Sequence, residues 1–173
     1  MTDLNTIANI SEIVGGLAIV IGGIFAVVQL QEFREQRRQA VAVELIRQFS
    51  EPAHANAVNL IQELPDAASA ELLRSKGREY ERAALMIAMT YETIGLLVFR
   101  EMASFSMVRE LTGGLTVVMW RKLGPWVEAV QREQSHRSFA EWFQWLADQL
   151  ARESPEKEAH PAYEQYADWR PRQ

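Results

Sequence analysis

From Ile13 to Leu30 the chain reads IVGGLAIVIGGIFAVVQL, and Gln29 is the only polar side chain in that run. A helix rises about 1.5 Å per residue, so these residues span about 27 Å, close to the roughly 30 Å of a bilayer's hydrocarbon core. Ile10 and Ser11 bring the run to the usual length, with Glu12 near an interface. A buried core helix is the competing interpretation, but a small domain seldom buries a helix on every face. A cleaved signal peptide calls for a basic start and a small-x-small cleavage site. The residues before Ile13 include Asp3 and Glu12 and no Lys or Arg, and Phe25 to Leu30 offers no such site. The pattern predicts a retained transmembrane anchor over residues 1–31.

Basic residues orient it. Arg34, Arg37, Arg38 and Arg47 follow the span and none precede it. Positive charge stays inside, which places the N-terminus outside and everything after the span in the cytoplasm. Within the span, Ala18, Gly22 and Ala26 are spaced by four, and Gly15 lies seven before Gly22. Small residues on one face let two helix backbones approach closely, so this face predicts self-association in the bilayer.

After the span, no proline or glycine interrupts Gln31 to Ser50, which predicts a helical stalk over residues 32–50. A soluble helical domain follows over 51–152. Ser50-Glu51-Pro52 predicts a stop and restart, with Ser50 as N-cap, and the next helix runs to Leu64. A short helix spans Ala68 to Arg74. The longest soluble helix runs from about Glu79 to Arg100, with Leu85, Ala88, Met89, Leu96 and Phe99 on one stripe. Ser106 caps a turn over Met107 to Leu111, which Gly113-Gly114 ends. Leu115 to Lys122 is helical until Gly124-Pro125 breaks and restarts it. Phe139 to Arg152 is the last helix and buries Phe139, Trp142, Phe143, Leu146 and Leu150. Residues 153–173 form a charged, loose tail in which Tyr163, Tyr166 and Trp169 offer docking points. No run alternates apolar and polar residues as a half-buried strand does. The fold class is therefore all-α: one N-terminal transmembrane helix, a stalk and a small helical bundle.

Composition narrows the chemistry. Of 173 residues, 48 % are apolar and 24 % charged, an ordinary globular balance. The net charge of −5 gives no basic patch for nucleic acid. With no cysteine, disulfides, thiolate catalysis and Cys-ligated metals are excluded. His54, His136 and His160 lie far apart, in predicted turns or at the surface, and make no metal-ligand spacing. Ser104 and Ser106 have no nearby histidine, so no nucleophilic triad emerges. No cofactor is implied. Glu92 falls on the apolar stripe of the longest helix, where a carboxylate must be paired, hydrogen-bonded or protonated. Arg121 is the expected ion-pair partner; a general acid or base is the functional alternative. Trp120, Trp126, Trp142 and Trp145 serve the core or line one cleft, with Trp145 off the main stripe.

Several short segments also carry a resemblance: Tyr91-Glu92-Thr93-Ile94-Gly95-Leu96-Leu97, Arg100-Glu101, Val108 to Leu111, Met119-Trp120-Arg121-Lys122-Leu123-Gly124-Pro125-Trp126-Val127, and Phe139-x-x-Trp142-Phe143-x-x-Leu146-Ala147. With Ile7-Ala8-Asn9-Ile10-x-Glu12-Ile13-Val14-Gly15, they resemble a widespread bacterial family of unknown function. That family pairs one N-terminal membrane helix with a helical domain. The resemblance implies a fold, a topology and a place in the bacterial inner membrane, and it carries no activity.

Two functional expectations follow. The first is a single-pass membrane protein that self-associates and presents its domain to a cytoplasmic protein partner, in a structural rather than enzymatic role. The second is a ligand-gated membrane effector or sensor whose cytoplasmic domain binds a small molecule, with Arg109, Arg121 and Lys122 as anion contacts if they converge.

Overall fold

The computed structural model describes residues 21–30, 43–153 and 162–171. Chain contacts divide the protein into two units, Met1–Val43 and Glu44–Gln173. In the first, α1 (Ile21–Leu30) is an apolar helix with every residue exposed. Gly15, Ala18, Arg34, Arg37 and Arg38 lie outside the described residues.

Among its described residues, the second unit has helices as its only regular elements. Residues 44–49 are helical and lead into α2 (Pro52–Gln62), α3 (Ala70–Ser75), α4 (Arg78–Phe99), α5 (Phe105–Glu133), α6 (Glu141–Glu153) and a short exposed α7 (Ala162–Gln165). Local chemistry sets the starts. Pro52 occupies the first turn of α2, where its missing N–H is no loss. Ser69 caps α3 by accepting the Leu72 N–H at 3.2 Å. Gly77, at φ 108°, turns the chain into α4.

Two helix ends turn left-handed without a glycine. After α4, Glu101 adopts φ 55°, while the Glu101 and Met102 N–H groups reach back to the Val98 and Leu97 carbonyls. After α5, Ser135 at φ 51° does the same, with Ser135 and His136 bonding Arg132 and Gln131. Both are Schellman caps built on residues that pay a backbone penalty for the left-handed region.

α4 is the centre of the bundle, packed against α2 on one side and α6 on another, while α5 closes against α6 and α2. Its core face is Ala84, Ile87, Ala88, Tyr91, Ile94, Gly95 and Val98. The stripe expected from the sequence is corrected: Leu85, Met89, Leu96 and Phe99 are exposed. The buried face is the one that small residues open to close packing. A Cβ on Gly95 would lie 2.2 Å from the Trp142 carbonyl oxygen, so α6 rests on the α4 backbone there. Among the described residues, α4 is also the one helix long and apolar enough to cross a membrane by length and composition. Half of its most apolar window is buried inside the domain, as befits a core helix.

α5 brings the largest correction. Gly113-Gly114 does not stop it and Gly124-Pro125 does not break it; one helix runs 29 residues from Phe105 to Glu133. Pro125 deprives the Arg121 carbonyl of its helical donor. The Ala67 N–H replaces that donor at 2.9 Å, from the loop before α3. Gly113 is buried, with Leu150 of α6 packed over it. Tertiary packing thus overrides the local breakers.

Candidate functional site

A groove of about 400 Å³ lies between residues 46–50, α2 and α5. Ile46, Phe49, Val58, Leu111 and Leu115 make its apolar walls, and Ser50, His54, Asn59 and Thr112 also line it. Among the described residues, no charged side chain lines it.

His54 is its distinctive residue. It shares the inward face of α2 with Ala57 and Ile61, at helical spacing, and is only 5 % exposed. It is not in a turn or at the surface, as the sequence suggests; the spacing with Ala57 and Ile61 is the signal that places it inside. Its ring meets Phe49 edge-on at 5.2 Å and stands 6.5 Å from Tyr91. Both Nδ1 and Nε2 are inaccessible, and neither has a hydrogen-bond partner among the described residues. Burial pushes its pKa below the ordinary histidine value, so the ring is held neutral.

Behind it, Tyr91 is fully buried and stacked on Phe143 at 5.0 Å. Its hydroxyl lies 3.3 Å from Thr112 Oγ1, and burial pushes its pKa up to about 12. Thr116 turns its hydroxyl back onto the Thr112 carbonyl at 2.9 Å, a local bond that satisfies it inside the helix.

Glu92 takes different partners from the Arg121 expected. Its Oε2 accepts the backbone N–H groups of Trp142 and Phe143, at 2.8 and 2.9 Å. These are orphan donors of the first turn of α6. Burial raises the Glu92 pKa; the two N–H bonds oppose the rise, and neighbouring Glu141 adds to it. Arg121 instead faces Asp66 at 3.6 Å. Lys122, its stem sunk in the domain, also reaches Asp66 at 3.6 Å and donates to the Leu64 carbonyl. Arg109 pairs with Glu153 at 3.3 Å. The three basic residues therefore do not converge on one anion site.

The tryptophans also part company. Trp120 meets Phe143, and Trp126 meets Phe139. Trp142 and Trp145 join Phe99, with Phe99–Trp142 centroids 4.5 Å apart. Trp145 is thus held by its own domain. His136 is exposed between α5 and α6, His160 lies outside the described residues, and the Ser104 and Ser106 hydroxyls contact each other at 2.8 Å.

A family model described as a domain of unknown function (DUF4760) matches residues 16–150. No curated protein and no solved structure matches the chain.

Proposed function

The chain belongs to the DUF4760 family, a domain of unknown function, and from its own residues we propose a single-pass membrane protein that tethers a helical interaction domain to the inner face of the cytoplasmic membrane. The observation that carries this is the exposure of α1. Ile21, Ile24, Phe25, Val27, Val28 and Leu30 are each 46–62 % exposed and point to every side of the helix. Apolar surface in water is costly at about 25 cal/mol per Å², and a helix apolar all round calls for an apolar surrounding. The sequence extends the same character back to Ile13. Arg34, Arg37 and Arg38 favour an inward-facing domain.

Self-association is the second part of the proposal. Gly22 and Ala26 share one face of α1, and a Cβ on Gly22 meets nothing within 4 Å. A second helix fits closely against such a face. The chain has no native cysteine, so single-cysteine variants report cleanly. Ala26→Cys should form a disulfide-linked dimer when native membranes are oxidised, and Ile24→Cys, on the opposite face, far less. Monomer from both variants removes the self-association.

One observation favours the second reading, a ligand-responsive effector: the His54 groove.

A further inference from the structure

We propose that the exposed face of α4 docks on the anionic headgroups of the membrane that holds α1. This rests on the tethered reading and names the surface that the domain meets.

Arg78, Arg82, Leu85, Met89, Leu96 and Arg100 recur at steps of three, four and seven residues, so they share one side of α4 and its C-terminal cap. All six are exposed. Leu85 and Met89 keep 47 % and 50 % of their surface in water, and Met86 beside them keeps 39 %. Single apolar residues at a surface are ordinary; a continuous apolar strip marks a contact. This strip is basic at both ends. Arg78, Arg82 and Arg100 make no ion pair among the described residues. Two acids of α4 are engaged elsewhere: Glu81 faces Arg74 at 3.4 Å, and Glu92 is turned onto α6. Glu79 stays exposed beside the arginines in the first turn. Thr93, in the middle of the strip, donates its hydroxyl to the Met89 carbonyl at 2.9 Å. It therefore brings no unpaired donor to an apolar surrounding.

Charge selects the occupant. A second copy would set arginine against arginine whichever way two α4 helices ran, because both ends of the strip are basic. Anionic headgroups reverse that sign. The arginines then sit among phosphates while Leu85, Met86, Met89 and Leu96 enter the acyl boundary, as on an amphipathic helix at an interface. Chain length keeps that surface within reach. Residues 31–42 join α1 to the helical residues that open the domain, and twelve residues fully extended span at most about 40 Å. Tethering gives the bilayer a standing local concentration that a free partner lacks.

The test uses the full chain in vesicles of phosphatidylcholine alone, or of equal parts phosphatidylcholine and phosphatidylglycerol, with brominated acyl chains as quenchers. A water-sensitive fluorophore is placed on Thr93→Cys in the strip or on Gly114→Cys on the exposed side of α5. With phosphatidylglycerol the Thr93 probe should shift to the blue and be quenched, and the Gly114 probe should do neither. Phosphatidylcholine alone, or about 1 M salt, which screens charges beyond about 3 Å, should release it. Arg78→Gln and Arg82→Gln should each weaken docking about fivefold, as expected for one basic residue at an anionic surface. Leu85→Gln with Met89→Gln, both at exposed positions, should weaken it at least as much. An unquenched Thr93 probe in a chain that floats with phosphatidylcholine vesicles overturns the docking and leaves the tether standing. A chain that does not float with them overturns the tether and the docking with it. Equal quenching at both sites, or quenching unchanged by the arginine variants, overturns this face as the contact. A blue shift without quenching also overturns it. Dependence on the protein-to-lipid ratio then makes a second copy the occupant, and loss of the shift on deleting residues 154–173 makes the C-terminal tail the occupant.

Discussion

The carboxylate of Glu92 accepts the backbone N–H of Trp142 at 2.8 Å, from a helix fifty residues earlier in the chain. The same oxygen takes the Phe143 N–H at 2.9 Å. α6 needs this outside help because Ala140, the residue before it, sits at φ 57° and has no side-chain oxygen to offer. One residue of the central helix thus fixes where α6 begins.

Removing that acceptor separates two roles. Glu92→Gln keeps a carbonyl oxygen for both N–H groups and should stay within about 0.5 kcal/mol of the parent in urea unfolding. Glu92→Ala leaves the two donors unpaired and should cost about 1–3 kcal/mol. Equal losses would mean that the charge, not the cap, matters. The sign with pH follows from burial, which raises the folded pKa above the ordinary 4.5. Between those two values the native state holds more protons than the unfolded one. This contribution to stability is therefore complete below 4.5 and is lost as pH rises through the folded value. Glu92→Gln should remove that slope.

Gly95 and Gly114 should respond oppositely to alanine. A methyl group on Gly95 would lie 2.2 Å from the Trp142 carbonyl oxygen and push α6 away, at a cost of about 1–3 kcal/mol or more. At Gly114 the same methyl group meets nothing within 4 Å in the middle of a helix. Gly114→Ala should stabilise by up to about 1 kcal/mol. Thermal unfolding of the two variants checks both signs, and a stabilising Gly95→Ala would refute the close approach.

The helices with strong local signals were legible. Pro52 marks the start of α2, and the helix predicted from Glu79 to Arg100 matches α4 to within a residue at each end. The misreadings arise where distant residues decide. The glycine pair and Pro125 look like breaks until Leu150 packs over Gly113 and Ala67 takes the Arg121 carbonyl. The real ends at Glu101 and Ser135 carry no glycine to announce them. On α4, apolar residues cover too much of the circumference for hydropathy to choose the inner face. Gly95 was the better guide, since only the face without a side chain admits α6 so closely. The groove was illegible because residues 46–50, α2 and α5 meet only in three dimensions.

His54 makes the fold sensitive to mild acid. Burial holds its folded pKa below the ordinary value of about 6.5. The unfolded chain therefore binds the proton first. Stability from this group is present above about pH 6.5 and is lost as pH falls towards the folded value. The slope should reach at most about 1.4 kcal/mol per pH unit. Urea midpoints measured between about pH 7 and 5 should fall for the parent and flatten in His54→Phe. Parallel slopes would show that the imidazole is not buried neutral.

Membrane tethering is tested most directly by labelling single cysteines in a chain that has none of its own. Thr6→Cys precedes the apolar span, and Ser138→Cys lies on an exposed turn of the domain. A membrane-impermeant maleimide applied to intact bacterial cells should label Thr6→Cys at once and Ser138→Cys only after lysis. Both variants should stay with the membrane through an alkaline carbonate wash. Release by the wash, or labelling of Ser138→Cys in intact cells, would contradict an anchored domain on the inner face.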